Sequence, residues 1–225
     1  MSKKYYVVKN GKHGTHIYRT WDEAKAEYSG VANARVKGFN DHKTAQKFAY
    51  KTKNTYSIAK ALNYDDFEVV IHTDGGCRNH GNVKGGQVLT SDPAAWSCYI
   101  EDKINHKNYL ATNGEFGKSN NYMEVKAVLR SLQFLEKLNL TNKHILFVCD
   151  SIYALKASDK EWLKTKQETD FNIPNGDLWR EIDRLITKFN TRIVWSWTRG
   201  HAGEYGNEIV DSKLNETMDH MQNKR

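Results

Sequence analysis

Phe67-Glu68-Val69-Val70-Ile71-His72-Thr73-Asp74-Gly75-Gly76-Cys77 is an apolar, β-branched run that ends on an acid followed by two glycines. Val and Ile favour extended backbone, and Gly75-Gly76 let the backbone come near a nucleic-acid strand. The acid between them is a carboxylate presented at a strand end. The pattern returns at Ile145-Leu146-Phe147-Val148-Cys149-Asp150. Glu124 lies at the start of a stretch with helical periodicity, and Asp211 stands ten residues after His201 in Gly200-His201-Ala202-Gly203-Glu204-Tyr205-Gly206-Asn207-Glu208-Ile209-Val210-Asp211. Carboxylates in such settings suit hard divalent cations, which prefer oxygen ligands. A cluster of four is what cutting a phosphodiester with two metal ions requires.

Outward from these acids, strand-like runs fall at 67–73, 95–101, 107–112, 145–149 and 192–197, with helical patterns at 121–138, 151–157, 177–190 and, more weakly, 205–221. Antiparallel-looking strands come first and strands alternating with helices follow, which predicts a mixed α/β sheet flanked by helices. Toward the N-terminus the pattern changes. Residues 5–10 and 16–19 read as strands joined by the turn Asn10-Gly11-Lys12-His13-Gly14. Thr20 with Glu23 forms a capping box for a helix through Tyr28, 34–39 reads as a third strand, and Asp41 or Thr44 starts a helix over 45–51. The expected organisation is a small β-β-α-β-α domain over 1–51, a short connection over 52–66 and a larger domain over 67–225.

The charge is unevenly placed. Of a net +7, residues 1–60 hold 13 Lys/Arg against 4 Asp/Glu, whereas residues 61–225 hold 21 against 23. All the basic excess therefore lies in the first quarter, the distribution expected of an attached module that binds a polyanion. No stretch approaches the roughly 20 apolar residues of a membrane span, and the first residues lack the apolar region of a secretory signal. Three cysteines, Cys77, Cys98 and Cys149, read as reduced thiols of a cytoplasmic protein rather than a disulfide frame. Cys77, Cys149, His72 and His80 lack the paired spacing of a zinc site.

The segments IHTDGGC, SNNYMEVKAV, LFVCDSIYAL and WTRGHAGEYGNEIVD together resemble type 1 ribonuclease H over nearly all of 67–218. That resemblance implies a five-stranded mixed sheet with helices packed on it. It also implies endonucleolytic cleavage of the RNA strand of an RNA–DNA hybrid, leaving 5′-phosphate and 3′-hydroxyl ends. By motif position, Asp74, Glu124, Asp150 and Asp211 hold two Mg2+ ions, with Mn2+ as a possible substitute. His201, on a mobile loop in the family, assists water activation or product departure. Asn120 and Asn121 contact minor-groove edges, Ser119 holds a DNA phosphate, backbone near Cys77 faces the RNA strand, and Trp162 packs on DNA sugars. Discrimination against DNA rests on the 2′-hydroxyl, which Glu124 is placed to accept from.

Residues 5–50, through YYVVKNGKHGTHIYRTWDEAKAEYSG and ARVKGF, resemble the hybrid-binding domain attached to many cellular ribonucleases H. The resemblance implies Trp21 against DNA sugars with Tyr5 or Tyr6 nearby, Lys37 on a phosphate, and the backbone of Ala34 and Arg35 near RNA 2′-hydroxyls. Departures are visible in both parts. Val36 replaces an aromatic and Gly38 a second lysine, and Ile152 stands where family members often carry glutamine. Lys160, Lys164 and Lys166 occupy the usual basic protrusion but are offset by Glu161, Glu168 and Asp170. The stretch 78–95 is longer than usual, without a functional account. The expected protein is a monomer acting on hybrid duplex without an obligate protein partner. The alternatives are a non-catalytic nucleic-acid-binding protein, or another nuclease of the same fold such as a transposase, integrase or retroviral ribonuclease H.

Overall fold

The computed structural model describes residues 4–31, 34–50, 57–58, 62–78, 87–189, 193–198 and 205–223. The chain divides into two units, Met1–Asn54 and Thr55–Arg225.

The first unit is a three-stranded antiparallel sheet ordered β2-β1-β3, made of β1 (Tyr5–Gly11), β2 (Gly14–Tyr18) and β3 (Arg35–Phe39), with α1 (Trp21–Tyr28) and α2 (His42–Tyr50). Both starts are capped as the side chains dictate. Thr20 accepts from the Glu23 amide while Glu23 accepts from the Thr20 amide, and Asp41 accepts from the Thr44 amide at 2.8 Å. Consecutive strand residues point to opposite faces, yet Val7 and Val8 are both fully buried. Both faces of β1 are therefore covered. Val7 packs with Phe39, Ala45 and Ala49 beneath α2, leaving α1 to cover the face of Val8.

The second unit carries a six-stranded mixed sheet ordered β4-β9-β8-β5-β6-β7: β4 (Ser57–Ile58), β5 (Val69–Cys77), β6 (Pro93–Asp102), β7 (Lys107–Phe116), β8 (Ile145–Cys149) and β9 (Ile193–Trp197). β5 pairs antiparallel with β6 and parallel with β8, so the sheet is mixed about β5. The five expected strands are present. The sixth, β4, comes from the stretch expected to be plain connection, and pairs parallel with β9. From the same stretch, Leu62 and Tyr64 pack against Phe67, Val70, Leu146 and Val148. Apolar residues scattered through a polar sequence carried no period to reveal this docking.

The helices are α3 (Asn120–Lys137), α4 (Lys160–Gln167), α5 (Gly176–Lys188) and α6 (Tyr205–Asn223). Gly75 faces α3, since a Cβ there would meet the Met123–Glu124 backbone, and Gly76 faces α6, since a Cβ there would meet Leu214. The larger core lies on the α3 face, around Ile71, Val128, Leu132, Phe147, Trp179 and Ile182. Full burial of each such side chain contributes about 1.5–3 kcal/mol. The helix expected at 151–157 is instead a single 3₁₀ segment, Ala154–Ser158, followed by α4. Asp159 ends one and starts the other, its carboxylate accepting from the Trp162 amide at 2.9 Å. Among the described residues no helix is long and apolar enough to cross a membrane.

Candidate active site

Parallel pairing of β5 with β8 sets Thr73 beside Cys149. The next residue in each case is an acid, so Asp74 and Asp150 stand side by side. Asp150 lies just past the end of β8 but Asp74 lies within β5, which runs on to Cys77 rather than ending at the acid as expected. Glu124 reaches the same point from the first turn and a half of α3, which Ser119 caps by accepting from the Tyr122 amide. One carboxylate oxygen from each of Asp74, Glu124 and Asp150 lies within 4.8 Å of the others. This contact depends on Gly75, because any side chain there would strike the backbone of α3 at Glu124.

Asp74 and Glu124 are each only 8 % exposed. Burial, then the neighbouring Asp150 and Asp211, push the Asp74 carboxyl up to about 7, against the pull of the Gly75 amide it accepts from at 2.7 Å. Burial, then Asp74 and Asp150, likewise raise Glu124 well above the ordinary range, opposed by a hydrogen bond from the Asn120 amide at 3.4 Å. Three converging carboxylates, two of them held against ionisation by burial and then by neighbouring charge, are relieved by a hard multivalent cation. The donor set thus fits a divalent metal. Asp211, on α6, stands outside this tight trio but is close enough for its charge to act on Asp74. His201 lies outside the described residues.

Residues 66–218 match the family described as RNase H. The chain belongs to the ribonuclease H family. Residues 4–49 match the domain described as Ribonuclease H1 N-terminal domain, so the protein is a type 1 ribonuclease H with that domain at its N-terminus. It is 32% identical over 153 residues to the Ribonuclease H of Albidiferax ferrireducens, a match covering 65% of this chain and 91% of that relative. With the Ribonuclease H of Polaromonas naphthalenivorans it shares 30% over 171 residues, covering 73% and 96%. Among solved structures, LC9-RNase H1, a type 1 RNase H with the type 2 active-site motif, superimposes with a TM-score of 0.56 at 19% identity, over 68% of this chain and 72% of that one. The foamy viral protease-reverse transcriptase in complex with dsDNA does so at 0.54 and 16%, over 70% and 97%. These two likenesses concern the fold.

In this ribonuclease H, Ser119, Asn121 and Trp162 come together in one cavity of about 390 Å³. Tyr153, Lys156 and Lys166 line it as well. Lys156 lies 4.6 Å from the Tyr153 ring centre and 5.3 Å from that of Trp162, with Lys166 at 5.8 Å over Trp162. Trp162 also packs edge-on against the buried Trp179 at 5.0 Å, so it is at once a core residue and a wall of the cavity. Tyr153 and Lys156 escaped the sequence reading. They follow Asp150 without a motif of their own, and only the 3₁₀ turn faces them toward Trp162. Asn120 is exposed and turned to Glu124, and Cys77 is partly exposed at the end of β5.

The N-terminal unit separates residues that the sequence grouped. Trp21, 43% exposed, packs at a tilt against Tyr6 at 5.5 Å and Tyr28 at 5.9 Å. Tyr5 instead packs at a tilt against His42 of α2 at 5.2 Å. Lys37 lies over Phe48 and Phe39, at 5.2 and 5.7 Å, on the face that α2 covers. One-residue alternation along β1 and β3 accounts for the split: Tyr6 pairs with Gly38 and Val7 with Lys37. Ala34 and Arg35 lead into β3, with Arg35 exposed.

Proposed function

We propose that the protein hydrolyses the RNA strand of RNA–DNA hybrids with two Mg2+ ions held by Asp74, Glu124, Asp150 and Asp211, leaving 5′-phosphate and 3′-hydroxyl ends. The observation that carries this is the convergence of three carboxylate oxygens, from β5, the helix α3 and the residue after β8, within 4.8 Å of one another. Bound divalent ions supply a water of lowered pKa and a counter-charge for the leaving 3′ oxygen. The chain's own residues do the rest. Asp74, on which the charges of both Asp150 and Asp211 act, would be a central ligand of the metal. Glu124 combines a metal-facing oxygen with a place at the minor-groove side, next to Asn120, where a 2′-hydroxyl donates to it. The Ser119–Asn121–Trp162 cavity holds the DNA strand, with Lys156 and Lys166 countering phosphate charge. His201 assists water activation or departure of the cleaved strand, and Mn2+ substitutes for Mg2+.

Residues 1–51 are proposed as the hybrid-binding domain, with 52–66 connecting it to a catalytic domain over 67–225. The basic excess sits in the first of these, so it raises the local concentration of hybrid for a catalytic domain whose acidic and basic side chains balance. A labelled hybrid incubated with Mg2+ and with EDTA, beside duplex RNA and duplex DNA, tests the reading. Cleavage only of the RNA strand in hybrid, only with metal, and with 5′-phosphate ends is the expected result. Cleavage surviving EDTA, or equal on duplex RNA, refutes it.

Opposite-face placement gives the binding reading a sharper form. Trp21→Ala is expected to weaken hybrid binding at every salt concentration with an unchanged slope, because a stacked ring carries no charge. Lys37→Ala is expected to lower the slope of log K against log salt by about one, as loss of one phosphate contact does. Fluorescence titrations from 50 to 300 mM salt, roughly the range where that slope is measurable, check both. Identical slopes for Lys37→Ala and wild type remove Lys37 from the interface.

A further inference from the structure

Asp211 is the one of the four acids outside the tight trio, and it is held differently from the rest. Its Oδ1 accepts from the Asn215 side-chain amide at 3.1 Å, one helical turn on, and its carbonyl accepts from the same Nδ2 at 2.9 Å. The Asn215 Oδ1 in turn accepts from Arg78 Nη2 at 3.4 Å, as does the Asn215 carbonyl. Arg78 follows β5, four residues beyond Asp74. Its other nitrogen, Nη1, donates to Gln222 Oε1 at 2.9 Å and to Asp219 Oδ1, both further along α6. The orientation of the amide is dictated by chemistry. A guanidinium only donates and a carboxylate only accepts, so oxygen must face Arg78 and nitrogen must face Asp211.

Two consequences follow from that order. The three groups polarise one another in sequence, which strengthens each bond. The arginine also pulls on Asp211 through an uncharged relay and so does not neutralise it as a direct ion pair would. One carboxylate oxygen is fixed and the other is left for a cation. Because Arg78 continues the strand that bears Asp74, one rod of backbone sets where both acids stand.

We propose that Arg78 and Asn215 are positioning residues that set the Asp211 carboxylate for the divalent ion, an inference that rests on reading the acid cluster as a metal site. Arg78→Met and Asn215→Leu are each expected to raise the half-saturating Mg2+ concentration by about tenfold, the size seen when a partner of a metal ligand is lost. The shift should appear both in cleavage and in direct Mg2+ binding followed by calorimetry. Arg78→Lys, which keeps a donor for the amide, is expected to recover part of it. In an Asp211→Asn background, Asn215→Leu should add nothing. Thr217→Val supplies the control: Thr217 ties α6 to Thr112 of β7 at 2.9 Å without reaching Asp211. It should leave the Mg2+ midpoint where it was.

Midpoints within about twofold of wild type for Arg78→Met and Asn215→Leu, with melting temperatures in EDTA lowered as by Thr217→Val, overturn the positioning role and leave the metal site standing. A wild-type protein that binds no Mg2+, or whose binding is untouched by Asp74→Asn, overturns both.

Discussion

Asp74→Asn is expected to abolish cleavage, by at least about a thousandfold, and at the same time to melt at a higher temperature than wild type in EDTA at pH 8. The first half follows from removing a carboxylate proposed to hold the divalent metal. The second follows from what that carboxylate costs the metal-free fold. Burial and the charges of Asp150 and Asp211 raise the Asp74 carboxyl from its ordinary value to about 7. Below about pH 4 the group is protonated whether the chain is folded or not, and it carries no penalty. Between about pH 4 and 7 the unfolded chain releases the proton while the folded one keeps it, so folding becomes less favourable as pH rises. Above that range the full penalty remains, on the order of 2–4 kcal/mol for a shift of this size.

Asparagine has the same shape and no charge to pay for. The melting temperatures of Asp74→Asn and wild type should therefore coincide near pH 4 and diverge up to pH 8, where the variant gains roughly 5–10 °C. Mg2+ should close the gap from the other side by stabilising wild type far more than the variant. Calorimetric melts across that pH range, with EDTA and with Mg2+, check the sign directly. A variant less stable than wild type at pH 8 in EDTA means that the acids do not repel one another as their positions require.

Gly75→Ala is expected to damage stability and catalysis together. A Cβ at this residue would lie 2.2 Å from the Glu124 amide nitrogen and 2.3 Å from the Met123 carbonyl carbon. Those are atoms of a helix backbone packed on β5, which cannot swing aside as a side-chain tip can. Helix α3 must move out by roughly an ångström, at a cost of about 3 kcal/mol or more, the upper end of overpacking. Glu124 travels with it, away from Asp74. Misplacement of a reacting group by that distance reduces turnover by about a hundredfold. Gly76→Ala is the comparison, because its Cβ would meet the flexible tip of Leu214 at 3.0 Å. Urea melts and kcat on hybrid substrate for the two variants should differ sharply. Equal behaviour shows that α3 does not depend on the bare backbone at Gly75.

Much of this protein was legible in one dimension because its signals are local. Val69–Ile71 and Ile145–Val148 read as strands through their β-branched and apolar side chains, and both are strands. The Thr20–Glu23 capping box was readable from two residue types three positions apart, and both of its hydrogen bonds form. The candidate acids were legible as charged residues beside apolar runs and inside short motifs, although β5 runs past Asp74 and Asp211 lies within α6. The attached module showed itself through charge, a sum that needs no structure.

Tertiary structure decided what depends on distance rather than order. That Asp74 and Asp150 are neighbours rests on the register Thr73↔Cys149. That Glu124 joins them rests on how closely α3 settles over Gly75. Asp211 belongs with them through its place on α6, and the Asn215–Arg78 relay that holds it links residues 137 positions apart. Leu62 and Tyr64, from the stretch expected to be plain connection, became part of the larger unit because they found the open face beside Val70 and Leu146. Tyr5, Lys37 and Trp21 were split between two faces by strand alternation. By itself the sequence determined which groups carry the chemistry, since propensity and charge reside in each residue. Only the packed sheet and helices decided which of those groups act together, since repulsion and coordination act through space.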